Sequence, residues 1–556
     1  MKKTVLAVSL SLGAVAQAGE VQLADNQSVL EAWAQAGGQP AALVDDARGG
    51  TRMEWHNSVS LDAYHTEASG GSLLTPLTTG DYQNLSVSSN FIRQGAGGQT
   101  TTGLLGFSVV NDRSVARNNL HIGTLQMSHA QSRSRLVLGD VAASYSSLGV
   151  NLGLRGVQME QKLGQATISG VLGSVAESWE TLTGAADATS PRRDVAAVRV
   201  EMPVGIEGLR TSASFATHHD NDASLPSQQS TPLTMSGQVG TFGLAWNHAR
   251  YQVTMEAGHS AWDQSGGASG NDNAMVLDAA WRAEKLSLRT GWHDVGARYA
   301  SLSGQAQGGV SEAYVAGNWQ ARDWFTLNTD LRHSENNRVL SQVPVPAVQP
   351  ASSSDRVMLG AGFQLPRWPG LSLQLSTQAS LGENKDGSNN RNHSGSAMFM
   401  FTREDWYGNL GSQLSRVDND APSASSVNGD ITTISAGVGR RWPELAGWML
   451  DLGLNANNQR QSLDNGQHTE SQSGSLNLAA NHDRAGQVSL NAMKGTVTNP
   501  VSGSTLDQTS LQFDYRYPLG RHGQLGLYWR DVSDLAGSSA LESTSTTWGL
   551  KYAGSF

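Results

Sequence analysis

Apolar and polar side chains alternate with a period of two through most of this chain. In WMLDLGLNA (448–456), the apolar face carries Trp448, Leu450, Leu452, Leu454 and Ala456. LSLQLSTQASL (371–381) and TSLQFDYRY (509–517) repeat the pattern, with Asp514 and Arg516 on the second face. A period of two is that of a β-strand, and segments of about ten residues match a tilted strand that crosses a bilayer. Charges on the second face exclude a buried sandwich interior and fit a water-filled lumen.

The alternation runs from about Arg52 to the end of the chain and gives about 26 strand candidates. We therefore expect an all-β fold, a large transmembrane antiparallel up-and-down β-barrel of about 24–26 strands, over residues 51–556. Short connections such as 247–250 and 282–285 alternate with long polar ones. The long ones include 384–392, 417–430, 458–470 and 531–543. Short turns on the periplasmic side and long loops outside are the arrangement of outer-membrane barrels.

Four tryptophans lie at or beside the short turns, where an interfacial aromatic belt is expected. These residues are Trp324, Trp368, Trp406 and Trp442. Their amphipathic rings predict contact with the lipid bilayer at headgroup level. Lipopolysaccharide is the expected partner on the long-loop side, and the acidic stretches around Asp418 and Asp272 are candidates for the divalent ions bound with it. Ordinary polar loop composition explains those stretches equally well.

The N-terminus reads as a secretory signal peptide over residues 1–18, with a basic start at Lys2 and Lys3, a short apolar stretch and a small-residue cleavage site. Residues 19–50 predict a short helical segment, in the periplasm or in the lumen, or else a loose tail. Cleavage leaves 36 basic and 48 acidic residues, a net charge of −12. This acidic balance makes nucleic acid an unsuitable partner.

The last ten residues, TWGLKYAGSF, place Trp548, Leu550, Tyr552 and a terminal Phe556 on one face. Together with the signal peptide, the absence of cysteine and the alternating strands, this ending resembles the Gram-negative outer-membrane β-barrel class. The resemblance implies an outer-membrane location, a final strand that is read by the barrel-assembly machinery, and closure of that strand against the first one, with Phe556 facing lipid.

One internal stretch, RLVLGDVAASYSSLGVNLGLRG (135–156), resembles a signature of fimbrial ushers, the barrels that export pilus subunits. The matching positions are Leu136, Leu138, Gly139, Asp140, Arg155 and Gly156. Two strands over 135–143 and 150–160 would set Asp140 diagonally across from Arg155 on one face. A lumenal ion pair there would brace the wall or bind a gating element, or else be an incidental pair in a hairpin. The chain is too short for an usher's plug and flanking domains.

No motif for nucleophilic, metal-dependent or phosphate chemistry appears in the sequence, so no catalytic residue, metal ligand or cofactor is expected. The densest polar cluster is HHDND (218–222). Its residue types could ligate a metal, but a solvated extracellular loop is the expected reading because such clusters lack a fixed geometry.

Three functions remain open from the sequence. A barrel of about 26 strands is wider than small-solute diffusion requires, which favours a transport or export channel for a large substrate, a protein or a polysaccharide. A periplasmic accessory protein contacting residues 19–50 is a candidate partner. The alternatives are a substrate-specific porin for small solutes, with lumenal Arg530 and Tyr528, and a structural or surface-interaction barrel.

Overall fold

A computed structural model describes most of the chain from Arg52 onward. The described residues are 52–69, 79–112, 119–183, 191–221, 234–303, 308–336, 351–384, 388–420, 428–498, 505–520, 523–536 and 543–555. The predicted signal peptide, the predicted helical segment 19–50 and Phe556 lie outside them.

Twenty-seven strands are present in these residues. The first fourteen are β1 (Arg52–Ser69), β2 (Gly80–Gln94), β3 (Thr100–Val110), β4 (Leu120–Ala130), β5 (Ser134–Ser144), β6 (Val150–Leu163), β7 (Ala166–Val175), β8 (Arg192–Pro203), β9 (Leu209–Asn221), β10 (Met235–His248), β11 (Tyr251–Gln264), β12 (Ser269–Arg282), β13 (Leu286–Val295) and β14 (Leu302–Ser303). The rest are β15 (Val310–Arg322), β16 (Phe325–Asn336), β17 (Ser352–Gln364), β18 (Leu371–Asn384), β19 (Asn389–Arg403), β20 (Trp406–Asn419), β21 (Gly429–Leu445), β22 (Trp448–Leu463), β23 (His468–His482), β24 (Gly486–Thr498), β25 (Thr505–Pro518), β26 (Gly523–Ala536) and β27 (Ser543–Ser555).

The strands form one closed antiparallel barrel. Each wall strand pairs with the next along the chain, β13 pairs directly with β15, and β27 pairs with β1. The two-residue β14 is outside this ring and pairs in parallel with β6. The wall therefore has 26 strands, and the predicted fold class is confirmed. At a spacing of about 4.8 Å and a tilt of about 40°, a circular barrel of this size is about 50 Å across between backbones.

Alternation gives the wall two unlike faces. Large exposed apolar side chains such as Trp55, Leu454 and Trp548 recur at every second position, and they define the outer face. Across the seam, Leu61 is opposite Tyr552, Ala63 opposite Leu550, and His65 opposite Trp548. The side chains predicted from TWGLKYAGSF thus lie on the outer face with the apolar residues of β1, and the closure of the last strand against the first is confirmed for the described part of β27.

The connections differ in length at the two ends of the barrel. Turns such as 283–285, 404–405 and 446–447 lie at one end, which we call the short-turn end. The strands that flank the longer connections of the sequence, such as β9 and β10 or β16 and β17, are joined at the other end, the loop end. Several connections are shorter than the sequence predicted. Residues 458–470, for example, form the ends of β22 and β23 around a four-residue connection, because their polar side chains keep strand pairing beyond the apolar band.

The four predicted belt tryptophans all lie at the short-turn end. Trp324 and Trp368 are in turns, Trp406 begins β20, and Trp442 is near the end of β21. Helix is scarce in the described residues, which contain one 3₁₀ turn (Ala96–Gly98) and one α-helix, α1 (Trp179–Leu182). No described helix is long and apolar enough to cross a membrane.

Candidate functional site: a hairpin inside the barrel

The β5–β6 hairpin leaves the wall half-way along its length. β5 pairs with β4 only from Arg135 to Gly139, and β6 pairs with β7 only from Arg155 to Leu163. Beyond those points, residues 140–154 keep their pairing with each other but lose both neighbours in the wall. The hairpin therefore bends at Gly139 and Arg155, and its tip lies inside the barrel.

Three glycines in register form the crease of this bend. Gly139 is opposite Gly156, which is opposite Gly173 of β7. Gly139 has a φ of +97°, and a Cβ there would lie 2.0 Å from the Leu125 carbonyl oxygen. A Cβ on Gly156 would lie 2.1 Å from the Leu172 carbonyl oxygen. Only glycine fits this conformation and this close backbone approach, so the glycines of the L-x-L-G-D and R-G signatures are required by the bend.

The tip of the hairpin covers an apolar part of the inner wall. Leu148 and Val150 are each 1% exposed. They belong to one buried cluster with inner-face residues of six other wall strands, which are Val171, Val195, Ala197, Ala216, Val239, Ala274 and Val295. Burying one Val or Leu side chain contributes about 1.5–3 kcal/mol. The four buried aliphatic side chains of the tip (Val141, Leu148, Val150, Leu154) thus hold it to the wall by roughly 6–12 kcal/mol before entropy is counted.

Polar contacts fix the tip at its far end. Ser147 donates a backbone and a hydroxyl hydrogen bond to Glu256 of β11, at 3.0 and 2.6 Å, and the Ser146 hydroxyl donates to the other carboxylate oxygen. The β13–β15 connection also folds inward. The Tyr299 hydroxyl donates to the Leu148 carbonyl at 2.9 Å, and β14 pairs with the start of β6. The tip is therefore held from two directions.

Asp140 and Arg155, the pair that the sequence singled out, lie at the base of the hairpin. They are directly opposite each other in register, not diagonal, with Arg155 Nε 3.7 Å from Asp140 Oδ1. Both share the face of the outer residues Leu138 and Val157, so the inward bend places them behind the hairpin and not at the free surface of the bore. Helix α1, from the β7–β8 connection, covers them.

The α1 helix links this base to β4. Its Trp179 donates a hydrogen bond to Asp140 at 3.3 Å, and its ring faces the Arg155 guanidinium at 5.7 Å. Arg155 also donates to the Ala176 carbonyl just before the helix. Asp140 in turn accepts from the Leu125 backbone N–H at 2.6 Å. The carboxylate thus replaces the strand partner that β4 loses at the bend.

Glu180 of α1 also replaces a missing strand partner, further along β4. Its carboxylate is 9% exposed, accepts the Ile122 backbone N–H at 2.5 Å, and lies 3.7 Å from His121. Burial raises the pKa of Glu180, but hydrogen bonds from Ser178 and from the Ile122 backbone outweigh it, and the pKa lies below the usual glutamate value. The charged form therefore stays in place at neutral pH and stabilises the unpaired edge of β4.

The described residues of the HHDND cluster, 218–221, lie in a strand and not in a solvated loop, so that prediction is wrong for them. β9 continues through Asn221, and its even-numbered residues face inward, so His218 and Asp220 are 5% and 6% exposed. Asp220 forms a bidentate pair with Arg193, at 2.6 and 2.9 Å, and accepts the Met235 N–H. No group of three or more acidic or histidine side chains able to hold a metal ion occurs in the described residues.

The inner wall opposite the hairpin has a different composition. From β18 to β24 the described inner-face side chains are mostly Ser, Asn and Gln. Ser376, Ser396 and Gln413 are opposite one another across β18–β20, and Asn477 is opposite Asn491 in β23 and β24. Asn455 and Asn457 lie on the same face of β22. The charged residues among these inner-face side chains are Arg441 and Asp451, near the short-turn end, which form an ion pair at 2.8 Å. This half of the bore therefore presents a neutral hydrogen-bonding surface.

Comparison with known proteins identifies no family. No protein-family model matches the chain, and no curated protein matches its sequence. Among solved structures, the P pilus usher (PapC) translocation pore aligns over 91% of this chain and 99% of its own, at 12% identity and a TM-score of 0.34. OccD1 (OprD) aligns over 90% and 96%, at 11% identity and 0.29. An E. coli P pilus assembly intermediate, PapC-PapD-PapK-PapG, aligns over 93% and 62%, at 10% identity and 0.43. At such values no function carries over from them.

Proposed function

We propose that this protein is an outer-membrane channel that conducts a large substrate, a protein or a polysaccharide. The observation that carries the proposal is the closed 26-strand wall with its own hairpin folded against the inside. After about 10 Å for side chains and about 10 Å for the hairpin layer, roughly 30 Å of free width remains in a circular barrel of this size. That width exceeds what a small solute needs.

The composition of the open half of the bore supports the same function. A neutral Ser, Asn and Gln lining can form and exchange hydrogen bonds with a passing polymer without the strong attraction of fixed charges. The charged residues on the described inner face of β18–β24 already neutralise each other as Arg441 and Asp451. A lining of this kind favours passage over tight binding.

A permanently open bore of this width would admit large antibiotics, so the function needs a second occupant of the lumen. We propose a periplasmic accessory protein or the segment 19–50 for this place, with the substrate replacing it during transport. The base of the hairpin, with Asp140, Arg155 and α1, keeps the hairpin on its wall while the rest of the bore is used. Catalysis has no part in this scheme.

Single-channel conductance in a planar bilayer tests the proposal. Three refolded proteins would be compared: the wild type, a variant lacking residues 19–50, and a variant in which Asn-Gly replaces residues 143–152 of the hairpin tip, between the paired residues Ala142 and Gly153. Wall pairing stops before this tip on both sides, so the replacement leaves the barrel closed. Conductance with poly(ethylene glycol)s of increasing mass in the bath gives the width of each bore.

A wild-type conductance that is low and becomes large and steady when residues 19–50 are deleted supports a conduit with a removable occupant. A large conductance that becomes low when periplasmic extract is added supports it as well. The hairpin replacement should then widen the polymer cut-off further. A wild-type channel that is steady and excludes all but the smallest polymers would overturn the proposal in favour of a small-solute porin.

A further inference from the structure

The outer face carries an arginine at the short-turn end whose contacts are with aromatic rings. Arg440 of β21 lies on the same face as the exposed Ile434 and Val438, two residues after Val438. Its Cζ is 5.2 Å from the ring centroid of Trp406 and 5.0 Å from that of Trp442. The guanidinium is therefore held between two indoles on the lipid side of the wall.

The strand register places the arginine and the two indoles side by side. Arg440 is directly opposite Trp406 in the β20–β21 pair, and Trp442 follows two residues later on the same face. The strand pairing thus sets all three side chains before any ligand is present. A site whose groups are already ordered loses little conformational entropy when it binds.

The arginine has no acidic partner in the part of the chain that the structure describes. Ion pairs join several other arginines of the barrel to carboxylates, as in Arg441 with Asp451 on the opposite face, but none is formed by Arg440. Its Nε is buried and makes no hydrogen bond with the described residues. An unpaired cation at a lipid-facing position is stabilised by an anion from its surroundings.

The position of Arg440 in the membrane determines which anions are within its reach. The indoles of a short-turn belt lie at headgroup level, where the anions of a bilayer are phosphodiesters. Arginine binds phosphate through several N–H donors in a fixed planar array, and flanking tryptophans exclude water from such a contact. A neighbouring outer-face cation, Arg403 at the end of β19, is opposite Trp406 at the start of β20.

We propose that Trp406, Arg440 and Trp442 form a binding site for the phosphate of a glycerophospholipid at the short-turn end of the barrel. The site prefers a lipid with net negative charge, because the headgroup of a zwitterionic lipid carries its own cation. This inference goes beyond the transport function and does not depend on it.

Native mass spectrometry of the purified, folded barrel in mild detergent tests the site. Wild type, Arg440→Gln and the control Arg516→Gln would each be titrated with phosphatidylglycerol, with phosphatidylcholine and with inorganic phosphate. Arg516 is a suitable control because it lies near the same end of the barrel but on the inner face. Folding of each variant is verified by its shift in mobility on heating before electrophoresis.

We expect one phosphatidylglycerol bound to the wild type and to Arg516→Gln, and about ten-fold weaker binding by Arg440→Gln. Arg440→Lys, which keeps the charge without the planar array, should bind with intermediate strength and serves if the glutamine variant does not fold. Equal phosphatidylglycerol binding by all variants would overturn the site, and so would occupancy by inorganic phosphate that lipid does not displace.

Discussion

The part of the inner wall that the hairpin covers and the part that faces the open bore have the same strand architecture, but their side chains differ in polarity and burial. Under the hairpin, the inner face of β7–β10, β12 and β13 carries a cluster of buried Val and Ala side chains. Across the bore, the corresponding positions of β18–β24 are mostly Ser, Asn and Gln. An apolar inner position in a water-filled barrel is stable only while something covers it. The composition of the inner face therefore distinguishes the part of the wall that the hairpin covers from the part that faces the open bore.

The largest expected effect comes from placing the same charge on each half. Leu148→Asp buries a carboxylate against the apolar wall and near Glu256, at a cost of about 4–5 kcal/mol, so we expect the tip to detach and the bore to widen. Ser376→Asp puts the charge on the open wall and should leave the width unchanged. Polymer cut-off in single-channel recordings checks both. Equal cut-offs in the two variants would show that the hairpin does not depend on its apolar contact.

A smaller effect is expected at the crease. Gly139→Ala places a Cβ against the Leu125 carbonyl at a φ of +97°, and we expect a loss of about 1–3 kcal/mol. Gly153→Ala, on the same hairpin, meets no atom within 4 Å and is the matched control. The temperature at which the folded band disappears on electrophoresis should fall for Gly139→Ala alone. An equal fall in both variants would mean that any change in the hairpin, not the bend itself, sets stability.

The smallest effect is expected at the base of the hairpin. Asp140→Ala removes the acceptor for Leu125 N–H and Trp179 and leaves Arg155 uncompensated, at about 1–2 kcal/mol. The apolar tip remains, so the hairpin loosens without detaching. We expect a modest rise in sensitivity of cells to a large glycopeptide antibiotic, with normal amounts of folded barrel. Unchanged sensitivity would remove the functional interpretation of the Asp140–Arg155 pair and leave it as a structural contact.

The sequence predicted the wall well because its signal is local. Alternation in segments such as 448–456 specifies each strand and its outer face without reference to any other part of the chain. It did not predict the inward bend, because the period of two is unbroken there and only its phase changes, with Val157 on the outer face of β6 and Leu154 on the other face. The sequence did not predict the environment of Asp140 either. It depends on Trp179, 39 residues later in a one-turn helix, and such long-range packing leaves no periodic signal.

One sign of the hairpin was nevertheless present in the sequence. In β7 and β8 both faces are apolar, as in Val171 beside Leu172 and Ala197 beside Val198. A strand of an outer-membrane barrel with two apolar faces needs lipid on one side and a protein cover on the other. The same reasoning applied to β9 would have placed His218 inside, because Ala216 and His218 share the covered face.

The length of the strands has a consequence for how cells present this protein. β1 has 18 residues and β21 has 17, which gives walls of roughly 45 Å at a rise of about 3.3 Å and a tilt of about 40°. The apolar band of such barrels is about 25 Å tall. Near the loop end the outer face becomes hydrophilic, with Arg416 contacting Asp418, Asp430 and Asp464. The barrel thus extends as a rigid, charged collar beyond the membrane surface, and antibodies or phage could recognise the wall itself as well as the loops.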